Sequence, residues 1–291
     1  MNKQKIVILG HSGFIGTNIE KSLSQNNKLE IIGRSLPNID LTDEESTAQL
    51  ANYVDKETIV ILLAAVKRQF GDTVDVFRKN MQIVENVCKL LLEKPVKKII
   101  FLSSAAVYGE ETENTNISEE SPINPTSYYG IAKYSAERIL KKACFDNQFT
   151  SLICLRPPLI YGPGDEGRTY GPAGFTAAAC EDKEIILWGD GTERREFIYV
   201  NDLCRLIEVL LNSDFSGELN VVSGQRYCFA DIIDALQIRF SELTVNSKPR
   251  SKEKANNAFV ANKIKSILPP EFRFTSLEEG LDKLIKSNQE N

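Results

Sequence analysis

Short apolar runs rich in Ile, Val and Leu recur along the chain: KIVILG (5–10), LEIIG (29–33), TIVILLAA (58–65), KKIIFLSS (97–104) and TSLICLRP (150–157). Each is apolar at successive positions rather than alternate ones, the pattern of a strand covered on both faces. The segments between them carry apolar residues at helical spacing: GFIGTNIEKSLSQ, EESTAQLANYV, VDVFRKNMQIVENVCKLLLEK and the stretch around Tyr129. Strand and helix in alternation predict an α/β fold, a doubly wound parallel sheet, over roughly the first 160 residues.

Past that point the pattern changes. RPPLIYGPGDEGRTYGPAG (156–174) is dense in Gly, Pro and charge and predicts a long loop. A short helix follows, then IILWGDGTERREFIYV, where Asp190-Gly191 marks a turn between extended segments. NDLCRLIEVLLNS has helical period with Asn201 as its N-cap, and GELNVVS reads as a strand. Residues 229–241 and 275–287 read as helices, and NSKPRSKEKANN (246–257) as a mobile polar connection.

Charge and composition narrow the partners. A net charge of −5 over 291 residues argues against nucleic acid or an anionic membrane as the main partner. No apolar run approaches the roughly 18 residues of a membrane span. The opening MNKQKIVILG runs straight into a strand pattern, without a signal peptide's apolar core, and a cytoplasmic location is expected. The six cysteines are scattered with no C-x-x-C pair, and His11 is the sole histidine. A Ser-His-Asp triad and a multi-histidine metal site are thereby excluded.

Directly after the first strand comes Gly10-His11-Ser12-Gly13-Phe14-Ile15-Gly16, opening a helix. Glycines here let the backbone turn tightly and approach a pyrophosphate, whose charge meets the N–H groups and dipole of the helix N-terminus. In this context the motif predicts dinucleotide binding. His11 departs from the usual small residues and reads as exposed, with a pyrophosphate contact as the alternative. After the second strand the chain reads Ile32-Gly33-Arg34-Ser35, with no acid to take a ribose 2′-hydroxyl. This favours NADP(H), with Arg34 on the 2′-phosphate; NAD(H) is the alternative, with Arg34 merely solvated.

The third chemical signal is SYYGIAKYSAE (127–137). Tyr129 and Lys133 lie four residues apart on a predicted helix and therefore on one face. An ammonium beside a phenol favours the phenolate and makes the phenol a better acid near neutral pH.

Gly10/Gly13/Gly16, LLAAVK (62–67), Asn80 in RKNMQIVENV, FLSSAAVYG (101–109), Tyr129 with Lys133, LRPPLIYGPG (155–164) and RREFIYVNDL (194–203) occur in this order. Together they resemble the extended short-chain dehydrogenase/reductase family, in particular its nucleotide-sugar epimerases, dehydratases and 4-keto reductases. The resemblance implies a Rossmann domain over 1–165 and a smaller C-terminal α/β substrate-binding domain over 166–291, with part of 196–223 returning to the first sheet.

It also implies roles. Tyr129 is the general acid/base, Lys133 binds the nicotinamide ribose and lowers the phenol's pKa, and Ser104 hydrogen-bonds the reacting oxygen, its bland alternative being a helix cap. Asp40 and Leu41, at the end of a third strand, contact adenine. Leu63, Ala64, Ala65, Lys67, Asn80 and Pro158 join Ser12, Phe14 and Ile15 around the cofactor. Ala105, Leu159, Trp188 and Arg195 join Ser104 and Tyr129 around a nucleotide-sugar substrate, Arg195 on its pyrophosphate. Trp188 reads equally as a core tryptophan, and Arg195 as part of a salt-bridge face with Glu193 and Arg194. A homodimer through helix 73–94 and the Tyr129 helix is expected on the same ground.

Departures from the family patterns select the reaction. Ala105-Ala106 stands where the 4,6-dehydratases carry Asp-Glu, where decarboxylases keep a glutamate and where fucose-synthase-like enzymes use a cysteine. Alanine moves no protons. What remains is redox at one carbon: reduction of a nucleotide-linked 4-keto sugar at C4 with Tyr129 as proton donor, or 4-epimerisation with retained NAD. Arg34 and the Pro157-Pro158-Leu159 run favour the reductase. A non-catalytic NADP(H)-binding regulator is the remaining alternative on this fold.

Overall fold

The computed structural model describes residues 3–66, 71–111, 113–165, 171–250 and 253–290. The chain divides into two compact units, each assembled from separated stretches. The first comprises Met1–Gly109, Pro122–Pro157 and Cys204–Asn220; the second comprises Glu110–Ser121, Pro158–Leu203 and Val221–Asn291.

The first unit is built on a six-stranded sheet. Its strands, from one edge to the other, are Leu29–Arg34, Gln4–Leu9, Ile59–Leu62, Lys98–Leu102, Ser151–Arg156 and Gly217–Asn220. All neighbours pair in parallel. The central strands are apolar at consecutive positions past their first residues, as burial on both faces requires, and Ile6, Val7, Ile8, Ile59 and Ile61 have almost no exposed surface. Each such side chain contributes about 1.5–3 kcal/mol by leaving water. This is a doubly wound, Rossmann-like sheet.

Its topology places the site. The chain leaves Gln4–Leu9 to form one neighbouring strand, then crosses to form the other, so the order reverses beside the first strand. In such sheets ligands bind in the crevice outside the carboxyl ends of the strands at that reversal.

Asp40 and Leu41 are not at the end of a third strand. The chain has no strand among residues 35–58, and a set of side-chain bonds shapes this stretch instead. Asp40 Oδ1 accepts from Thr42 N at 2.9 Å and Thr42 Oγ1 at 2.7 Å, and the Asp40 N–H donates to Ser46 Oγ at 2.8 Å. Leu41 is buried, and its carbonyl accepts from Asn86 Nδ2 at 3.0 Å. Asp43 then caps the short helix Glu44–Ala48 by accepting from Ser46 N.

Two long helices, Val74–Glu93 and Tyr128–Asn147, pack against each other in this unit. At the far end of the sheet the buried Lys98 ammonium donates to the carbonyls of Leu210 at 2.7 Å and Ser213 at 2.6 Å. It thus satisfies the open C-terminus of helix Val200–Leu211.

The second unit uses four short strand pairs. Leu159–Tyr161 pairs in parallel with Phe197–Tyr199, Ile185–Trp188 with Val245–Lys248, and Asn114–Ile117 with Asn257–Phe259, while Arg194–Arg195 pairs antiparallel with Tyr227–Cys228. Helices Gly171–Cys180, Phe229–Gln237 and Leu277–Gln289 close over a core that includes Tyr161, Phe175, Phe197, Leu236 and Leu281.

Three further stretches differ from the sequence expectation. The stretch 156–174 is not one long loop: it contains the strand Leu159–Tyr161 and the start of a helix at Gly171. The segment 246–257 is not simply a connection, since Val245–Lys248 is a paired strand. Asn201 is not an N-cap, because the helix already begins at Val200, straight out of the preceding strand. Among the described residues, no helix is long and apolar enough to cross a membrane.

Candidate active site

The loop 10–13 is compressed against its neighbours. Gly10 has φ +92°, and a Cβ there would lie 2.8 Å from the Ala64 amide nitrogen. A Cβ on Gly16 would fall 2.2 Å from the Gly10 carbonyl oxygen. Gly13 meets nothing closer than 3.6 Å, so its smallness is not needed for packing. It is the N-cap of helix Phe14–Leu23, it offers no side-chain acceptor to the first-turn N–H groups, and that turn holds no acid. Unpaired N–H groups at a helix N-terminus over a glycine cradle fit a pyrophosphate. The residues present therefore fit a dinucleotide, and Ser12, Phe14 and Ile15 lie on this loop and first turn.

The carboxyl end of strand Leu29–Arg34 meets the same loop. Gly10 N donates to the Arg34 carbonyl at 2.8 Å, and Ser35 Oγ to Ser12 Oγ at 2.9 Å. The Arg34 guanidinium stacks 3.9 Å from the centre of the Tyr53 ring, and its Nη1 donates to the Gly33 carbonyl at 2.7 Å. It lines a surface hollow of about 620 Å³ together with Lys5, Glu20, Glu30 and Tyr53. His11 is not a free loop side chain: its Nδ1 lies 3.0 Å from Glu20 Oε2. Glu20 also brings a carboxylate oxygen to 2.9 Å from where a Gly33 Cβ would stand. An acid therefore does approach the end of this strand, carried by the neighbouring helix.

After strand Ile59–Leu62 the N–H groups of Leu63 and Ala64 both donate to the Leu9 carbonyl, at 2.9 and 3.0 Å. Leu63, Ala64 and Ala65 are half-buried beside the loop. Asn80 is spent on holding this segment: its Oδ1 accepts from Val66 N at 2.8 Å and its Nδ2 donates to the Val66 carbonyl at 3.1 Å. Lys67 lies outside the described residues.

Ser104, Tyr129 and Lys133 come from adjacent elements of the first unit. Ser104 caps the short 3-10 turn Ala105–Tyr108, its Oγ accepting from Ala106 N at 3.1 Å. That is the capping role, and it leaves the hydroxyl proton to donate elsewhere. Ala105 N donates to the Pro157 carbonyl at 2.8 Å. Helix Tyr128–Asn147 starts from Ser127, whose Oγ accepts from Gly130 N at 3.0 Å, while Asp72 Oδ1 accepts from Tyr129 N at 3.1 Å. Gly130 seats this helix on the Ser104 turn: a Cβ there would lie 2.7 Å from the Ala106 carbonyl oxygen.

Lys133 is 5% exposed. Its Nζ donates to the Leu102 carbonyl at 2.6 Å and sits 5.7 Å from the centre of the Tyr129 ring and 4.9 Å from that of Phe101. Burial pulls its pKa from 10.5 down to about 8, with the Glu137 carboxylate opposing the shift. A cation so placed stabilises a phenolate while itself remaining close to losing its proton.

A buried polar chain escaped the sequence reading. Glu137 accepts from Ser103 Oγ at 2.5 Å and from Arg156 at 2.9 Å (Nε) and 2.6 Å (Nη2). Arg156 Nη1 donates to the Tyr108 hydroxyl at 2.8 Å, which donates to Asn220 Oδ1 at 2.9 Å. The signal available was Glu137 at the next four-residue step after Tyr129 and Lys133.

The remaining candidates lie in the second unit. Pro158 precedes the strand on which half-buried Leu159 stands. Trp188, 52% exposed at the end of its strand, is not a core tryptophan. Arg195 stands on strand Arg194–Arg195 opposite Tyr227. It donates to Glu193 Oε1 and to the Ala255 carbonyl, and Arg250 donates to Glu193 Oε2. Burial lowers the Arg195 pKa, against the pull of Glu193. Arg195 is therefore a largely buried ion-pair member rather than part of an open surface face. Among the described residues, no group of His, Cys, Asp or Glu is arranged to hold a metal.

The chain is similar to known proteins over most of its length. The profile of the NAD dependent epimerase/dehydratase family matches residues 6–222. A GDP-6-deoxy-D-talose 4-dehydrogenase from Aggregatibacter actinomycetemcomitans is 26% identical over 300 aligned residues, covering 97% of this chain and 97% of that relative. Among solved structures, RMD from Pseudomonas aeruginosa complexed with NADPH aligns over 99% of both chains, with a TM-score of 0.86 at 20% identity. UDP-glucose 4-epimerase from Thermotoga maritima with UDP-glucose aligns over 98% of this chain and 99% of that one, with a TM-score of 0.84 at 23% identity.

Proposed function

Because the chain belongs to the NAD dependent epimerase/dehydratase family, we propose that it is an oxidoreductase that reduces a nucleotide-linked 4-keto sugar at C4, using NADPH and Tyr129 as proton donor. When bound, the reduced nicotinamide supplies the hydride. The chain's own residues do the rest. The N–H groups of the glycine loop and helix N-terminus hold the pyrophosphate, with Leu63, Ala64, Ala65 and Pro158 lining the cofactor. Tyr129 gives its hydroxyl proton to the C4 oxygen as charge develops there, a transfer most efficient when the acid's pKa lies near ambient pH. An unperturbed phenol titrates near 10 and is too weak an acid. The Lys133 ammonium, beside the ring, favours the phenolate left behind. The Ser104 hydroxyl, which accepts from Ala106 N, donates a hydrogen bond to the same oxygen and keeps its proton. On the sugar-nucleotide, Arg195 meets the pyrophosphate, and Ala105, Leu159 and Trp188 flank the substrate.

The observation that carries the choice of reaction is Arg34. It stands at the end of the second strand, braced on Tyr53, with the Ser12 and Ser35 hydroxyls joined on the adjoining loop. A guanidinium and two hydroxyls suit a 2′-phosphate and therefore NADPH, the cofactor of a one-way reduction. The 4-dehydrogenase name of one relative and the NADPH in a structure of the same fold support this reading. Glu20 favours a second one, since a carboxylate near that strand end suits the 2′-hydroxyl of NAD and hence a 4-epimerase. A homodimer belongs to the proposal; exposed Leu92, Tyr128, Ile131 and Phe145 on the two long helices support it.

The test is to purify the protein, identify any nucleotide released on denaturation, and follow NADPH oxidation with a panel of 4-keto nucleotide sugars. Cofactor-free protein that oxidises NADPH only with such a sugar supports the reductase. Retained NAD, with interconversion of 4-hydroxyl epimers and no added cofactor, overturns it in favour of the epimerase. NADPH binding without turnover of either substrate class identifies a regulator.

A further inference from the structure

Helix Tyr128–Asn147 carries a phenol, an ammonium and a carboxylate at successive four-residue steps: Tyr129, Lys133 and Glu137. Residues so spaced share one face. Glu137 is 2% exposed, and a buried charge is tolerated only when its partners satisfy it. Here both oxygens are satisfied, Oε1 by Ser103 and Arg156 Nε and Oε2 by Arg156 Nη2.

The members of this network flank each element of the site. Ser103 precedes Ser104, and Tyr108 closes the turn that Ser104 opens. Arg156 precedes Pro157, whose carbonyl holds Ala105 N. Glu137 lies one turn beyond Lys133. The position of Glu137 in this network is thus fixed independently of Lys133.

We infer that Glu137 is a positioning residue for the Tyr129–Lys133 pair: its carboxylate, clamped by Arg156, keeps the buried Lys133 ammonium charged and ties its helix to the Ser104 turn. The inference rests on the reading of Tyr129 and Lys133 as the proton-transfer pair. Stability alone does not account for the arrangement, because well-packed apolar residues in place of a buried ion pair are often neutral or stabilising. A buried amine, by contrast, is driven toward neutrality unless a negative charge stands close. Tyr129 and Glu137 face Lys133 from its own helix, and the Leu102 carbonyl and Phe101 ring from strand Lys98–Leu102. Behind Glu137 stand Arg156, Tyr108 and Cys154, the last held as a neutral thiol by burial. Of these groups only Glu137 supplies a full negative charge, and Lys133 already titrates near 8 with that charge in place.

The test is a titration of Lys133 by NMR of protein carrying ¹³C-labelled lysine, with the signal assigned by its loss in Lys133→Met. The full-length protein is compared with Glu137→Gln and with the double variant Glu137→Gln/Arg156→Met, which leaves neither member of the pair charged. The melting transition of each reports folding. In Glu137→Gln Lys133 is expected to titrate about one unit or more below its wild-type value, and in the double variant about half a unit or more below it, since loss of the Arg156 cation offsets part of the change. If Glu137→Gln alone does not melt cooperatively, the double variant decides. A Lys133 titration within about 0.3 unit of wild type in a cooperatively folded variant overturns the inference. Failure of the reductase reading shows separately, as a wild-type protein that turns over no nucleotide sugar while Lys133 still titrates.

Discussion

Lys133 lies one helical turn beyond Tyr129, with its ammonium 5.7 Å from the centre of the phenol ring and hydrogen-bonded to the Leu102 carbonyl at 2.6 Å. The phenol is thus paired with a cation that is itself close to its own pKa. Tyr129→Phe is expected to lower kcat by roughly 10²–10⁴-fold while leaving the Kd for NADPH within about threefold, as removal of a general acid should. Stopped-flow turnover with nicotinamide fluorescence titration checks both.

The same amine sets a pH dependence. Turnover is expected to fall as pH rises through about 8, where Lys133 loses its proton. For stability the sign is opposite. The folded value of about 8 lies below the ordinary 10.5, so between these the unfolded chain holds a proton the folded chain has released. Stability from this group therefore rises across that window. Urea midpoints along the pH series should show the rise in wild type and lose it in Lys133→Met.

Arg34→Ala is expected to raise the Kd for NADPH by roughly 10–100-fold and to leave that for NADH almost unchanged, the loss of a charge-assisted phosphate contact. Equal weakening of both would remove Arg34 as the reader of the 2′-phosphate. Parallel fluorescence titrations give the ratio.

Gly16→Ala drives a methyl group to 2.2 Å from the Gly10 carbonyl oxygen, and no flexible side chain is there to yield. The loop must open, and the expected result is loss of measurable NADPH binding with a stability cost of about 1–3 kcal/mol. Gly13→Ala, with its nearest neighbour at 3.6 Å, is expected to keep the fold's stability within about 1 kcal/mol. The pair of denaturation curves separates packing from ligand approach.

Asn80→Ala removes both bonds to Val66, leaving a backbone N–H and carbonyl without their partner. A stability loss of about 1–3 kcal/mol is expected. On the proposal that Leu63, Ala64 and Ala65 line the cofactor, NADPH affinity should fall as well, since Asn80 holds the adjoining Val66. Asn80→Asp keeps one of the two bonds and should recover part of each loss.

The strands of the large sheet were legible because burial on both faces requires apolar residues at consecutive positions, as in Lys5–Gly10 and Thr58–Ala65. The placement of Asp40 and Leu41 at a strand end came from the family resemblance, and it failed locally. There the Thr42 and Ser46 side chains shape the stretch, and turn chemistry between neighbouring polar groups leaves no periodic trace. Leu159–Tyr161 stayed hidden for a related reason: three residues are too few to show a period, and the partner strand Phe197–Tyr199 is distant in sequence. At the site, four-residue spacing was enough to put Tyr129 and Lys133 on one face. It could not reveal Arg156, which meets Glu137 only through the fold, or that Glu20 reaches Gly33 from another helix. The exposure of Trp188 was equally invisible, since one tryptophan carries no pattern.

The two units are interleaved along the chain, and strand Gly217–Asn220, at the edge of the large sheet, is made only after the stretch Pro158–Leu203 of the second unit. During synthesis, strand Ser151–Arg156 therefore waits with one side unpaired while more than sixty further residues emerge. An unpaired strand of an apolar sheet is prone to pair with other chains. Stalled or C-terminally shortened products of this gene that end before residue 217 should be the aggregating species in a cell, and a chaperone that shields the edge at Ser151–Arg156 would raise the yield of active protein.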